Sequence, residues 1–293
     1  MTPSTMPQPP PADWRSQNKH IQILSAAERG NYGVIAAIAY NIEQIVGLVS
    51  AAERAKSPLI IQFFSGPFRS PTVSWCEPPP TPSDEAVIKH AADTLPFDSI
   101  MVDMSHFEKG ENLAKTEKWV AYCHARGIAT EAEPGRIEGA EDGVMDTEGL
   151  ESCKTTPEEI EDFVATGVDA IAPAFGNVHG EYGAAGPQLD FPRFQSIRKA
   201  INGRVHIALH GTNGFKPELM KECIAAGATK INVNKLVLDD YSAHLGENAG
   251  EIPQTMLIEQ GVDKVVRQTI EWMEIVGSAG QASHISPLIQ LPI

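Results

Sequence analysis

From Gly33 onward the chain alternates short apolar runs with longer stretches in which apolar residues return every three or four positions. GVIAAIAY (33–40) predicts a strand, NIEQIVGLVSAAERAK (41–56) an amphipathic helix, and PLIIQFF (58–64) a second strand. After a proline-rich interruption the alternation resumes with helix SDEAVIKHAADTL, strand FDSIMVDM, helix KGENLAKTEKWVAYCHARG ending at Gly127, and strand IATEAEPG. TTPEEIEDFVATG carries the clearest boundary signals: Thr156 as N-cap, Pro157 in the first turn, Glu159 closing a capping box, and Gly167 as the stop. Strand DAIAPAFG, helix PRFQSIRKAIN, strand RVHIALHG, helix FKPELMKECIAAG and strand ATKINVNK follow, and one long helical tail is predicted from Leu236 to about Gly277.

The order is βα throughout, and seven strands can be counted. Continuously apolar strands with short loops suit a parallel sheet covered by helices, either an open doubly wound sheet or a (β/α)8 barrel one strand short. The shortfall falls at SGPFRSPTVSWCEPPPTPSD (65–84), where six prolines occupy a span too short for a helix and a strand of about thirty residues together. The expected fold class is therefore α/β, a TIM barrel with its third βα unit missing or truncated and a C-terminal helical extension. Residues 1–12, rich in proline, are expected to be disordered, and 13–293 to form a single domain.

An excess of 38 acidic over 23 basic residues, a formal charge of −15, argues against nucleic acid and anionic membrane as partners and favours a small molecule. No apolar run approaches the length that spans a bilayer, and the opening MTPSTMPQPPPADW lacks a secretory pattern, so a cytoplasmic protein is expected. Cys76, Cys123, Cys153 and Cys223 stand too far apart for a paired thiolate site, which leaves imidazole and carboxylate as metal ligands.

Barrel chemistry sits at the carboxyl ends of strands. Those positions hold Asp103 and His106, Glu131 and Glu133, Asn177 and His179, His210, and Asn232 with Asn234. His179, His210 and Glu133 form a ligand set suited to zinc. Each histidine precedes a glycine, Gly180 or Gly211, whose backbone N–H can approach a substrate closely. Gly211, Thr212 and Asn213, with Asn232, Val233, Asn234 and Lys235, sit where barrels hold phosphate on backbone amides, although Asn and Gly are also ordinary turn residues. The loop EPGRIEGAEDGVMD offers Glu138, Glu141 and Asp142 as carboxylates on a mobile flap or a solvated acidic loop. His206 is read as structural, and His90, His124, His244 and His284 as solvent-exposed.

Taken in order, DMSHFEKGENLAKT, EAEPGRIEGAEDG, APAFGNVHGEYG, ALHGTNG and TKINVNK resemble the class II, metal-dependent fructose-bisphosphate aldolase family, from about Gly33 to about residue 240. The resemblance implies a barrel, usually dimeric or larger, that splits a ketose bisphosphate into dihydroxyacetone phosphate and an aldehyde. It implies Zn2+, at one site or two, and allows a monovalent cation. His179 and His210 match the metal histidines, and Asp103 and Glu133 match acidic positions of a second or mobile metal site. Gly180, Gly211–Asn213 and Asn232–Lys235 match the substrate-binding backbone, and Glu141 matches the flap glutamate that moves the proton of the three-carbon half. Departures are Asn213, Pro134, Ala140 and Lys235, where serine, leucine, another flap residue and threonine are commoner. The largest departure is the absence of the His-Leu-Asp-His motif that ends the family's third strand and supplies another zinc histidine and an acid–base aspartate. Three readings follow: an impaired aldolase, for fructose 1,6-bisphosphate or another ketose phosphate such as tagatose 1,6-bisphosphate; a non-catalytic sugar-phosphate-binding remnant; or a coding junction misplaced around Phe64–Asp84.

Overall fold

The computed structural model describes residues 10–63, 84–139 and 153–285. Two helices come first, α1 (Trp14–Gln17) and α2 (Lys19–Gly30); the Asn18 side chain caps α2 by accepting from Ile21 N at 3.1 Å. Neither is anticipated by the sequence pattern. The buried positions of α2 are His20, Leu24, Ala26 and Ala27, too small and too polar on average to stand out as an apolar stripe.

The strands of the main sheet are β1 (Val34–Ile38), β2 (Leu59–Gln62), β3 (Ser99–Val102), β4 (Ala129–Ala132), β6 (Ala170–Ile171), β8 (His206–Leu209) and β9 (Lys230–Val233). All its pairings are parallel, in the order β2-β1-β9-β8-β6-β4-β3. The last strand thus lies beside the first, and each other pair is consecutive among the strands of this sheet. A doubly wound sheet starts near its middle and winds outward in both directions. First-to-last pairing is instead the order of a barrel, here with its two ends at β2 and β3. The expected defect in the third unit, at 65–84, falls almost wholly outside the described residues.

The sequence puts the helices where the pattern expects them: α3 (Ile42–Ala55), α4 (Asp84–Thr94), α5 (Lys109–His124), α6 (Pro157–Ala165), α7 (Phe191–Ile201) and α8 (Pro217–Ala225). The capping box of α6 is complete, with Glu159 N donating to Thr156 Oγ1 and Thr156 N to Glu159 Oε2. The predicted single tail is two helices, α9 (Lys235–Asn248) and α10 (Gln254–Ile275), because Gly250 adopts φ +87° and Pro253 begins the second. α10 lies across α3 and α9, and Gly47 allows the close crossing: a Cβ there would stand 2.7 Å from Val265. Helices and sheet bury one large core containing Phe175, Phe194, Ile197, Ile207, Ile231 and Met273, and a separate cluster around β3 with Ile88, Met104 and Trp119.

Two histidines expected to be exposed are not. His244 is buried under α10, its Nε2 3.1 Å from Leu257 O. His124 is mostly buried, 2.7 Å from an Asp169 carboxylate that also accepts from Arg15. His206 is structural, as expected, with Nε2 3.3 Å from Ser25 Oγ. Burial pushes the thiols of Cys123 and Cys223 up to about 12, so neither is a thiolate at neutral pH. No described helix is long and apolar enough to cross a membrane.

Candidate active site

The carboxyl ends of the strands gather the chemistry. His210 follows β8 directly and Glu133 follows β4, and both are buried. His179 ends β7 (Val178–His179), a two-residue strand paired in parallel with β5 (Glu138–Gly139) in a small ladder beside the main sheet. The ligand atoms of Glu133, His179 and His210 all lie within 4.8 Å of one another. His179 Nε2 faces His210 Nδ1 at 3.4 Å.

That spacing fits a metal ion. Two nitrogens each bound at about 2.05 Å to a tetrahedral zinc stand roughly 3.3 Å apart. Burial, with His210 beside it, pushes the His179 imidazole down to about 3, so at neutral pH it is uncharged and keeps a lone pair to donate. Glu133 is fixed by its neighbours: Ile137 N donates to Oε1 at 2.7 Å, and Asn112 Nδ2 donates to its carbonyl at 3.1 Å.

Glycines hold the ladder and the histidines together. A Cβ on Gly211, at φ +68°, would stand 2.4 Å from Val178 O, and one on Gly139, at φ +115°, 2.0 Å from His179 O. Only glycine permits either approach. Two side chains lock the same loops. Tyr182 OH donates to Gly211 O at 2.7 Å and accepts from Val178 N at 3.1 Å, while Asn177 Nδ2 donates to His210 O at 3.2 Å.

A cavity of about 500 Å3 opens above the histidines. Every substrate-binding residue expected from the sequence lines it: Gly180, Gly211, Thr212, Asn213, Asn232, Val233, Asn234 and Lys235, together with His179 and His210. α9 begins at this wall, and its N-cap residue Asn234 makes no side-chain bond to the helix's own amides. Thr212 Oγ1 donates to Asn232 O at 2.6 Å and so ties the two loops that form the wall. Lys235 pairs with Glu181 across the rim. A helix start beside a lysine suits an anion.

Asp103 lies outside the group of three; its Oδ1 accepts from Ser105 N at 2.9 Å. Arg136 Nε donates to Ser105 O at 2.8 Å, so the loops after β3 and β4 are joined near it. Glu141 lies outside the described residues, but β5, which leads into its segment, lines the cavity with Glu138 and Gly139.

Beneath His210 is a pair of which the sequence singled out only Glu131, as a strand-end carboxylate without an assigned role. Glu131, on β4, accepts from or faces His210 Nε2 at 2.9 Å, and Lys230 Nζ, on β9, stands 2.9 and 3.0 Å from its two oxygens. Burial opposes ionisation of Glu131, yet Lys230 and His210 override it and hold the carboxyl well below its usual range. The available signal was two charged residues in otherwise apolar strands.

The family model for class-II fructose-bisphosphate aldolase matches residues 18–74 and 82–281. A Coccidioides immitis (strain RS) protein provisionally named a fructose-bisphosphate aldolase is 43% identical over 290 residues, covering 92% of this chain and 96% of the relative. The fructose-bisphosphate aldolase of Geobacillus stearothermophilus is 32% identical over 287 residues, covering 90% and 98%. A crystal structure from Coccidioides immitis, of a protein provisionally described as a fructose-1,6-biphosphate aldolase, superposes with a TM-score of 0.84 at 43% identity, over 92% of this chain and 99% of that one. By the extent of the family match and by these relatives, the chain belongs to the class-II fructose-bisphosphate aldolase family.

Proposed function

We propose that this chain derives from a zinc-dependent aldolase acting on fructose 1,6-bisphosphate, and that its cleavage to dihydroxyacetone phosphate and glyceraldehyde 3-phosphate is impaired. The observation that carries the reading is the group of Glu133, His179 and His210, two of them buried and His179 partly so, under a cavity lined by Gly180, Gly211–Asn213 and Asn232–Lys235. These three residues would hold the ion, with Asp103 near a second site. When bound, the ion supplies the Lewis acidity that polarises the ketose carbonyl. The amides of Gly180 and Gly211–Asn213, with Asn232–Lys235, bind and orient the phosphate-bearing substrate. Cleavage removes the C4 hydroxyl proton, breaks the C3–C4 bond and leaves the electron pair on the three-carbon half, which then takes a proton at C3 from the flap carboxyl of Glu141.

The impairment lies at the first of these steps. The sequence contains no His-Leu-Asp-His motif, and the family match is interrupted at 75–81, within the proline-rich tract. We read the third βα unit as missing or truncated there. Losing the aspartate that takes the C4 proton costs about 10²- to 10⁴-fold in rate. We propose a cytoplasmic homodimer, a reading supported by likeness to the family.

The test is cleavage of fructose 1,6-bisphosphate by the purified chain, with added zinc and with a chelator. Slow turnover that the chelator abolishes is the expected result, and zinc-independent turnover at full rate would sink the reading. The same interruption at 75–81 favours a second reading, a sugar-phosphate-binding protein without catalysis. It requires that the ligand raise the melting temperature with no product formed. Tagatose 1,6-bisphosphate is assayed beside fructose to decide the substrate.

A further inference from the structure

We infer that Glu131 and Lys230 are positioning residues for the metal: the pair fixes the His210 imidazole with its proton on Nε2, so that Nδ1 is bare and faces His179 and Glu133. This rests on the metal-dependent reading above and goes beyond it by assigning two residues to which that reading gives no part.

Four elements converge to build the device. Glu131 comes from β4 and Lys230 from β9, which lie three places apart in the sheet, with β8 and β6 between them. Their side chains meet inside the curve, both almost wholly buried. Lys230 donates to Glu131 at 3.0 Å and to Asn232 Oδ1 at 2.8 Å, and turning the Gln62 amide so that its nitrogen donates to Ala36 O lets its oxygen accept the third N–H at 2.9 Å. A fully bonded ammonium cannot swing, and it holds the carboxylate in one place. The carboxylate has no proton to give, so at 2.9 Å from His210 Nε2 it can only accept. That sets the tautomer. His210 O is held separately by Asn177, which fixes the backbone that carries the ring.

The energetics favour a positioning role over a purely structural one. A buried ion pair adds little net stability over apolar residues of similar volume, because both charges must be desolvated. Carboxylates that accept from a metal-bound imidazole, in contrast, typically change metal affinity by about 10- to 100-fold.

The test compares zinc affinity, read by competition with a chromophoric chelator, in the full chain and in three variants: His210→Gln, Glu131→Leu/Lys230→Met and Glu131→Gln/Lys230→Met. Neither double variant leaves a buried charge without its partner, and the glutamine retains an acceptor for Nε2–H. The expected result is zinc binding by the parent chain that His210→Gln abolishes. The Leu/Met variant should bind about 10- to 100-fold more weakly, and the Gln/Met variant much closer to the parent. If the Leu/Met variant binds zinc as the parent does, the inference is overturned while the metal reading stands. If the parent binds no zinc, that reading fails and the inference with it. A measurement on the parent chain covers the case in which the variants do not fold: 15N resonances of metal-free protein, with His210 assigned by their loss in His210→Gln. A protonated Nε2 with a bare Nδ1 supports the inference, and a proton on Nδ1 overturns it.

Discussion

Single atoms decide how the candidate metal group holds together. Gly139 is not a ligand, yet any Cβ there meets the His179 carbonyl at 2.0 Å, and its φ of +115° is one that side chains resist. Gly139→Ala must therefore push β5 away from β7 and move His179 with it. A loss of about 1–3 kcal/mol in stability is expected from strain and displacement, with a tenfold or greater loss of zinc affinity. Unchanged zinc titration in the folded variant would show that the ladder does not position His179. Lys230 gives a second residue-scale prediction. Removing the ammonium alone, in Lys230→Met, strands the buried Glu131 carboxylate and should destabilise by about 3–5 kcal/mol. The double change Glu131→Leu/Lys230→Met should recover most of that loss in urea unfolding, and additive losses would contradict a charge pair. The two histidines and Glu133 were legible in the sequence because each ends a strand, and a barrel sends strand ends to one place. Glu131 was legible only as another strand-end carboxylate and its pairing with Lys230 not at all, because which strands face each other across the interior is set by closure of the sheet and leaves no local signal.

Elements separate in the same way. α6 could be read to the residue because its signals are local: the Thr156 cap, Pro157, Glu159 and Gly167 lie within thirteen positions of Thr155. Thr156→Ala removes one half of the box and should cost about 1 kcal/mol in chemical denaturation. α2 and the burial of His244 were missed because both depend on packing against distant segments, the strand ends below α2 and the helix α10 over α9. His20 on α2 shows what that packing does. Burial, with Lys230 nearby, pushes it from 6.5 down to about 4, and among the described residues its Nε2 has no hydrogen-bond partner. Between those values the unfolded chain binds the proton and the folded chain does not, so stability rises with pH. The contribution is fully present above about pH 6.5 and is lost as pH falls toward 4, in total on the order of 3 kcal/mol. His206 and His179 are shifted in the same direction, so the parent's urea midpoint should drop steeply across this window. His20→Phe, which cannot titrate, should flatten part of that slope. A slope identical in the variant would mean that His20 is not among the groups that set it.

For the molecule as a whole, strand order resolves what the pattern left open. Pairing of β1 with β9 belongs to a barrel and not to a doubly wound sheet, and it leaves β2 and β3 with one main-sheet neighbour each among the described residues. The two edges flank the tract that interrupts the family match, and the network under the metal group reaches one of them through Gln62. Edge strands with free N–H and C=O groups invite association with other chains. In the proposed reading one replacement therefore repairs two faults, the open edges and the missing acid–base aspartate. Exchanging residues 64–83 for a family helix–strand unit that carries His-Leu-Asp-His should raise the melting temperature and lower concentration-dependent light scattering. It should also raise turnover of fructose 1,6-bisphosphate by about 10²- to 10⁴-fold. The stability gain and the rate gain are separable. Changing only the grafted aspartate to alanine should keep the higher melting temperature and return turnover to that of the parent. A graft that folds, binds zinc and turns over no faster than the parent would show that the missing unit is not what limits this chain, and would leave the non-catalytic reading standing.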